Sequence, residues 1–110
     1  MLYLLFSFGE LSYAVDTACI FKVLPYVKLK PVSSTDPAIV GVLPFKGNWL
    51  PVVDFGMVLC KKPSEKKMNT RIILYNFGDT QEPFVLGFIA PNLTEAIEVK
   101  KEEIQKSILR

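Results

Sequence analysis

The sequence predicts a mainly β protein that forms a single domain over residues 1–110. Short apolar runs recur along the chain, and residues of high strand propensity, namely Val, Ile, Tyr and Phe, fill them. Turn-forming residues separate these runs, and the chain length suits one modest hydrophobic core. Many short strands at this spacing are typical of a barrel or a sandwich.

The strands can be placed from these runs. In chain order, the predicted strands cover residues 2–8, 12–15, 21–24, 41–45, 49–53, 71–77, 84–90 and 95–99. A hairpin is expected at Gly9-Glu10, single turns at residues 16–19 and 55–60, and loops at residues 26–37, 61–70 and 78–83. The tail from residue 100 has Ile104 and Ile108 four positions apart, which predicts a short amphipathic helix.

The segment "IVGVLPFKGNWLPVVDF", residues 39–55, is the densest in information. It predicts a hairpin with its turn at residues 46–48, where Gly47 adopts a positive φ. Pro44 and Pro51 cannot donate hydrogen bonds to a neighbouring strand. Both strands of this hairpin are therefore expected at a sheet edge or a bend, with one side free. Asp54 is expected to cap the turn that follows it.

Catalytic chemistry is poorly supported because the chain contains no histidine. That absence removes Ser–His, Cys–His and His–metal arrangements. Asp16 and Asp54 could meet as a carboxylate pair, but two solvated or turn-capping acids are the favoured interpretation. Cys19 and Cys60 match neither a disulfide framework nor a metal-binding spacing, and no phosphate-binding glycine motif occurs. We expect no enzymatic activity, no metal and no cofactor.

The net charge of +2 says little about partners, but the lysines form two local clusters. One comprises Lys22, Lys28 and Lys30, and the other comprises Lys61, Lys62, Lys66 and Lys67. A small β barrel could bind single-stranded nucleic acid if Trp49 and other exposed aromatics lay along one basic groove. Trp49 lies beside the predicted hairpin turn, where a core anchor and a partner contact are both possible.

No run reaches the length of about 20 apolar residues that a membrane-spanning helix needs. The opening "MLYLLFSF" lacks the basic start and the cleavage site of a signal peptide, and it is interpreted as a buried strand. The sequence alone therefore predicts a cytoplasmic protein that does not insert into a membrane.

The ordered segments "YAVDTACIFKVLPY", "IVGVLPFKGNWLPVVDFGMVL", "NTRIILYNFG" and "VLGFIAPNLTEAIEV" resemble the CheW family of chemotaxis coupling proteins. The most specific part is the pattern Gly-Val-x-x-x-(basic)-Gly-x-x-x-Pro-Val-x-Asp from Gly41 to Asp54. The resemblance implies a pair of small five-stranded β barrels, which are SH3-like subdomains. It also implies a non-enzymatic adaptor that couples chemoreceptors to a CheA-type histidine kinase in chemotaxis or related two-component signal transduction.

The partners that the resemblance implies are the regulatory domain of the kinase and the cytoplasmic tip of a methyl-accepting chemoreceptor. The residues expected to contact them lie in the hairpin: Gly41, Val42, Phe45, Lys46, Gly47, Trp49 and Pro51. The family usually has arginine before the glycine of the turn. Lys46 keeps the charge of that arginine without its planar fork.

Family members usually continue beyond the position of Ile104 with a further strand and a helix. One barrel is therefore expected to be incomplete at its C-terminal end, or the sequence is a shortened form. An incomplete barrel would expose a strand edge, and unpaired edges recruit other chains. Self-association through that edge is the resulting expectation.

Overall fold

The computed structural model describes residues 2–93 and 97–98, which form two β-sheets. The strands are β1 (Leu2–Phe8), β2 (Leu11–Asp16), β3 (Ile20–Pro25), β4 (Ile39–Phe45), β5 (Asn48–Val53), β6 (Arg71–Asn76), β7 (Val85–Ala90) and β8 (Ile97–Glu98). A 3₁₀ turn at Thr17–Cys19 follows β2, and one short helix, α1 (Phe55–Leu59), follows β5.

The smaller sheet has the order β2-β1-β8 and the larger sheet has the order β3-β6-β7-β5-β4. All neighbouring strands are antiparallel except β5 and β7, which pair in parallel through Val52–Gly87 and Val53–Phe88. The mainly β class that the sequence predicts is therefore confirmed.

Strand β6 explains why the two sheets pack together. Ile72, Ile73 and Leu74 are all fully buried, although successive side chains of a strand point to opposite faces. Ile73 belongs to a core shared with Phe6 and Phe8 of the smaller sheet. Ile72 and Leu74 belong to a second core, whose members come from all five strands of the larger sheet. The larger sheet is thus covered on both faces along β6.

The larger sheet curls until its two edge strands approach each other. Phe21 on β3 and Phe45 on β4 have ring centroids 5.9 Å apart, although three strands separate β3 from β4 in the sheet order. The segment after β3 also returns to β4, where Lys30 pairs with Val42 as an isolated bridge. These contacts bring the edges together without a continuous ladder. The described strands therefore show two sheets and no closed barrel, and the predicted pair of five-stranded barrels is not confirmed.

The positions of β1 to β7 agree with the sequence prediction to within two residues at each end. Of the strand predicted at residues 95–99, only Ile97–Glu98 lies within the described residues. The turn of the β4–β5 hairpin is shorter than expected, because Asn48 already pairs with Phe45. The expectation of a sheet edge or a bend holds for β4, which is an edge strand, whereas β5 lies between β4 and β7 but pairs with β7 only at Val52 and Val53. Pro51 is tolerated there because pairing of β5 with β7 begins only at Val52. The predicted tail helix lies outside the described residues.

Candidate functional site

The turn of the β4–β5 hairpin contains two residues, Lys46 and Gly47, both of which have positive φ, 50° and 81° respectively. Positive φ at both central residues is the requirement of a type I′ turn, whose twist matches that of the flanking strands. The predicted positive φ of Gly47 is confirmed. Lys46 shares this conformation, which few residues other than glycine adopt. The turn places both residues at an exposed tip.

The hairpin has two faces of different character. Leu43, Leu50 and Val52 point into the second core. Val42 pairs with Pro51 and Pro44 pairs with Trp49, so these four side chains share the opposite face. We call Val42, Pro44, Trp49 and Pro51 the outer hairpin face. Trp49 is 56% exposed, which excludes its interpretation as a core anchor.

The free edge expected on this hairpin is covered at one position. The N–H of Lys30 donates to the carbonyl of Val42 at 3.0 Å, and the N–H of Val42 donates to the carbonyl of Lys30 at 2.9 Å. Residues two apart direct their backbone groups to the same side of a strand, so the nitrogen of Pro44 also faces the outer edge. Pro44, which has no N–H, is thus placed where no neighbouring strand requires one.

Gly41 has a structural reason to be glycine. It is buried, and a Cβ built there would lie 2.7 Å from the Cβ of Leu29 and 2.8 Å from the carbonyl oxygen of Lys30. Its missing side chain therefore allows the segment after β3 to approach β4 closely. Gly41 is thus one of the predicted contact residues that the structure places inside the fold.

Phe45 and Lys46 form a group with Phe21. Phe45 packs against the second core, and the ammonium of Lys46 lies 5.4 Å from its ring centroid and 5.5 Å from that of Phe21. Phe21 is 59% exposed, so this cation–π contact is accessible to water. The lysine side chain thus leans from the tip toward β3. Sequence reasoning missed Phe21, because only the curl of the sheet brings it to the hairpin.

Asp54 ends the hairpin and is 2% exposed. Its Oδ1 accepts hydrogen bonds from the N–H of Gly56 at 2.9 Å and from the hydroxyl of Ser64 at 2.5 Å. Its Oδ2 accepts from the N–H of Ser64 at 2.8 Å. The predicted capping role is confirmed, because Asp54 is the N-cap of α1. The same carboxylate also fixes the following loop, and no local sequence pattern indicated Ser64.

The nucleic-acid alternative required exposed aromatics along one basic groove. Trp49 and Phe21 are both exposed, and each lies near a lysine. However, Trp49 belongs to the outer hairpin face, whereas Phe21 contacts Phe45 on the opposite face of the hairpin. In the second lysine cluster, Lys67 forms an ion pair with Glu65. This arrangement does not favour a stacking groove.

No helix within the described part of the chain is long and apolar enough to cross a membrane. Among the same residues, no group of three or more His, Cys, Asp or Glu side chains is placed to hold a metal ion. The fold and the site together define a small mainly β domain with an exposed, largely apolar hairpin face beside a basic turn.

Comparison with known proteins identifies the family. The model of the CheW-like domain matches residues 2–110, and the chain belongs to this family. The crystal structure of the scaffolding protein TtCheW from Thermoanaerobacter tengcongensis has the same fold, with a TM-score of 0.77 and 22% identity. That match covers 92% of this chain and 66% of the other chain.

Two relatives are chemotaxis proteins CheW. The protein from Klebsiella aerogenes is 22% identical over 103 residues, which are 94% of this chain and 60% of the relative. The protein from Helicobacter pylori is 25% identical over 99 residues, which are 90% of this chain and 58% of the relative. The chain thus spans about three fifths of the length of these relatives.

Proposed function

We propose that the protein is a non-enzymatic adaptor that couples chemoreceptors to a CheA-type histidine kinase in chemotaxis or related two-component signal transduction. The observation that carries this proposal is the match of the CheW-like family model to residues 2–110. The names of the relatives support it, since two are chemotaxis proteins and one is a scaffolding protein. We place this activity in the cytoplasm.

The proposed partners are the regulatory domain of the kinase and the cytoplasmic tip of the receptor. Among the hairpin residues predicted to contact them, Val42, Trp49 and Pro51 lie on the outer hairpin face, and Lys46 and Gly47 form the tip. We propose that these five make contact. Gly41 and Phe45 would act indirectly, by holding the hairpin against the rest of the sheet.

Isothermal titration with the purified kinase regulatory domain, and separately with a receptor tip fragment, tests the proposal. We expect a dissociation constant in the micromolar range that is common for signalling contacts, which corresponds to a binding free energy of about 8 kcal/mol. A Lys62→Glu variant serves as the control for charge reversals in the hairpin, because Lys62 lies in the exposed loop after α1. No heat of binding with either partner at concentrations well above micromolar would contradict the proposal.

Two further expectations can be measured with the same material. Single-stranded nucleic acid binding is not favoured, and a fluorescent 20-nucleotide oligothymidine should show no change in anisotropy at 150 mM salt.

Self-association through a strand edge remains a prediction. Light scattering across a wide concentration range should show a mass that rises with concentration, and a constant monomer mass would contradict it.

A further inference from the structure

The outer hairpin face includes a residue from a distant part of the sequence. Lys30 and Val42 are directly opposite each other in the isolated bridge, so their side chains share one face. The ammonium of Lys30 accordingly lies 5.0 Å from the centroid of the Trp49 ring. Lys30 and Trp49 are 19 positions apart in the chain, and no sequence pattern linked them.

The position of Lys30 is fixed by the backbone. Two hydrogen bonds hold its main chain to Val42, and the missing side chain of Gly41 lets the segment lie close to β4. The cation is therefore presented by an anchored strand segment rather than by a free loop. Anchoring of this kind lowers the backbone entropy that the segment loses when it contacts a partner.

The surroundings of this cation are apolar. Val42, Pro44, Trp49 and Pro51 form the face itself, and their side chains offer no charged group. Within residues 2–93 and 97–98, no carboxylate forms an ion pair with Lys30. A partner that covers Trp49 would also displace water from the ammonium. A buried ammonium needs an opposite charge, since an unpaired charge in an interface is costly.

We propose that this face binds a protein segment in which an aspartate or glutamate side chain follows an apolar side chain closely, with the carboxylate on Lys30 and the apolar group on Trp49. The inference rests on the proposed function, because the segment would belong to the kinase or to the receptor. It assigns the charge recognition on this face to Lys30. Lys46 points toward Phe21 and Phe45, on the other side of the hairpin.

A protein segment fits this face better than a nucleic acid strand does. Successive bases need a series of aromatic platforms and cations that follow the backbone. Here one indole is surrounded by two prolines and a valine, which suit aliphatic and aromatic side chains of a protein. The carboxylate and the apolar group would lie next to each other, as the cation and the indole do.

The test uses Trp49, which is the sole tryptophan of the chain and lies at the proposed contact. The probes are the kinase regulatory domain and the receptor tip fragment, each with its own tryptophans replaced by phenylalanine. Binding of the true partner should shift the Trp49 emission to shorter wavelength. Lys30→Glu should weaken that binding by about tenfold or more, and Lys30→Arg should retain most of it.

Lys28→Glu is the matched control, since Lys28 is exposed in the same segment. It should leave affinity within about twofold of the wild type. Thermal melts of all variants at equal concentration show whether each remains folded.

The inference is overturned if calorimetry detects binding while the Trp49 emission and the Lys30→Glu affinity stay unchanged. In that case the adaptor function stands. The absence of any binding overturns both, and a shift of Trp49 emission by oligothymidine instead would favour a nucleic acid partner.

Discussion

Asp54 and Ser64, ten positions apart in the chain, are joined by two hydrogen bonds in the interior, one to each carboxylate oxygen. The first comes from the N–H of Ser64 and the second from its hydroxyl. Because Asp54 also caps α1, this single carboxylate connects the end of β5, the helix and the loop that leads to β6. It thereby fixes the base of the hairpin that carries the candidate site.

Asp54→Asn should lower the free energy of unfolding by about 1–3 kcal/mol, measured by urea denaturation. The amide can still accept through its oxygen, but its NH₂ group would face the N–H of Ser64 and leave that buried donor unsatisfied. The control is Asp36→Asn, where the Oδ1 of an exposed aspartate accepts from the N–H of Ala38. That change should stay within about 0.5 kcal/mol. Equal losses in the two variants would contradict the role of Oδ2.

Gly47→Val should destabilise the hairpin by about 1–2 kcal/mol or more, because a β-branched residue is strained at φ 81°. The cause would be the backbone alone, since a Cβ at Gly47 has nothing within 4 Å. Lys46→Asn is the complementary variant, since asparagine tolerates positive φ better than lysine. Its midpoint in urea should be unchanged or higher. A Gly47→Val protein as stable as the wild type would argue against the type I′ turn.

Gly41→Ala should cost about 1–3 kcal/mol, because the new methyl group would collide with Leu29 and with the carbonyl of Lys30. The local effect can be followed by amide hydrogen exchange, which should become faster at Lys30 and Val42. A double-mutant cycle with Leu29→Gly provides the control. The double variant should lose less unfolding free energy than the sum of the losses of the two single variants, since Leu29→Gly removes one of the two colliding atoms. Strict additivity would show that the Leu29 contact is not the source of strain.

Lys46→Glu should weaken binding of the kinase domain or the receptor fragment by about 1–3 kcal/mol if the facing group of the partner is acidic. Folding should be nearly intact, since an exposed cation–π contact contributes only about 0.5–1 kcal/mol. Titration calorimetry and a thermal melt measure the two effects separately, with Lys62→Glu as the control. Unchanged affinity for both partners in a folded Lys46→Glu protein would mean that Lys46 serves only the turn and the Phe21–Phe45 contact.

Alkaline pH should destabilise the protein through Tyr75. Burial, followed by a hydrogen bond with Cys19, raises the pKa of Tyr75 above its usual value of about 10. As pH rises past 10, the unfolded chain loses this proton before the folded protein does. The contribution of Tyr75 to the free energy of unfolding should therefore be constant below about pH 9 and fall above pH 10. Tyr75→Phe should make that fall shallower in urea titrations. Parallel curves for the two proteins would contradict this prediction.

The sequence predicted most of what depends on residues close together in the chain. The β4–β5 hairpin, the positive φ of Gly47 and the cap by Asp54 all follow from neighbours within a few positions. Turn geometry and capping are set locally, so their residue types carry the information directly.

The rest depends on how distant strands are arranged. The bridge between Lys30 and Val42 and the contact between Phe21 and Phe45 arise because the larger sheet curls, and no pattern near either residue encodes that curl. The interior position of β5 has the same origin. Proline excludes a ladder hydrogen bond at its own nitrogen, but it does not prevent pairing from starting one residue later.

The position of β1 in the smaller sheet bears on how the chain folds during its synthesis. β1 lies between β2 and β8, so the part of its edge at Leu2 and Tyr3 stays unpaired until Ile97 and Glu98 have left the ribosome. The strands of the larger sheet all lie between Ile20 and Ala90 and are complete earlier. At a typical elongation rate of about 5–20 residues per second, β1 would wait roughly 5–20 s for its second neighbour. During that interval the backbone groups of this unpaired edge are open to pairing with other chains, and we expect a chaperone to shield them.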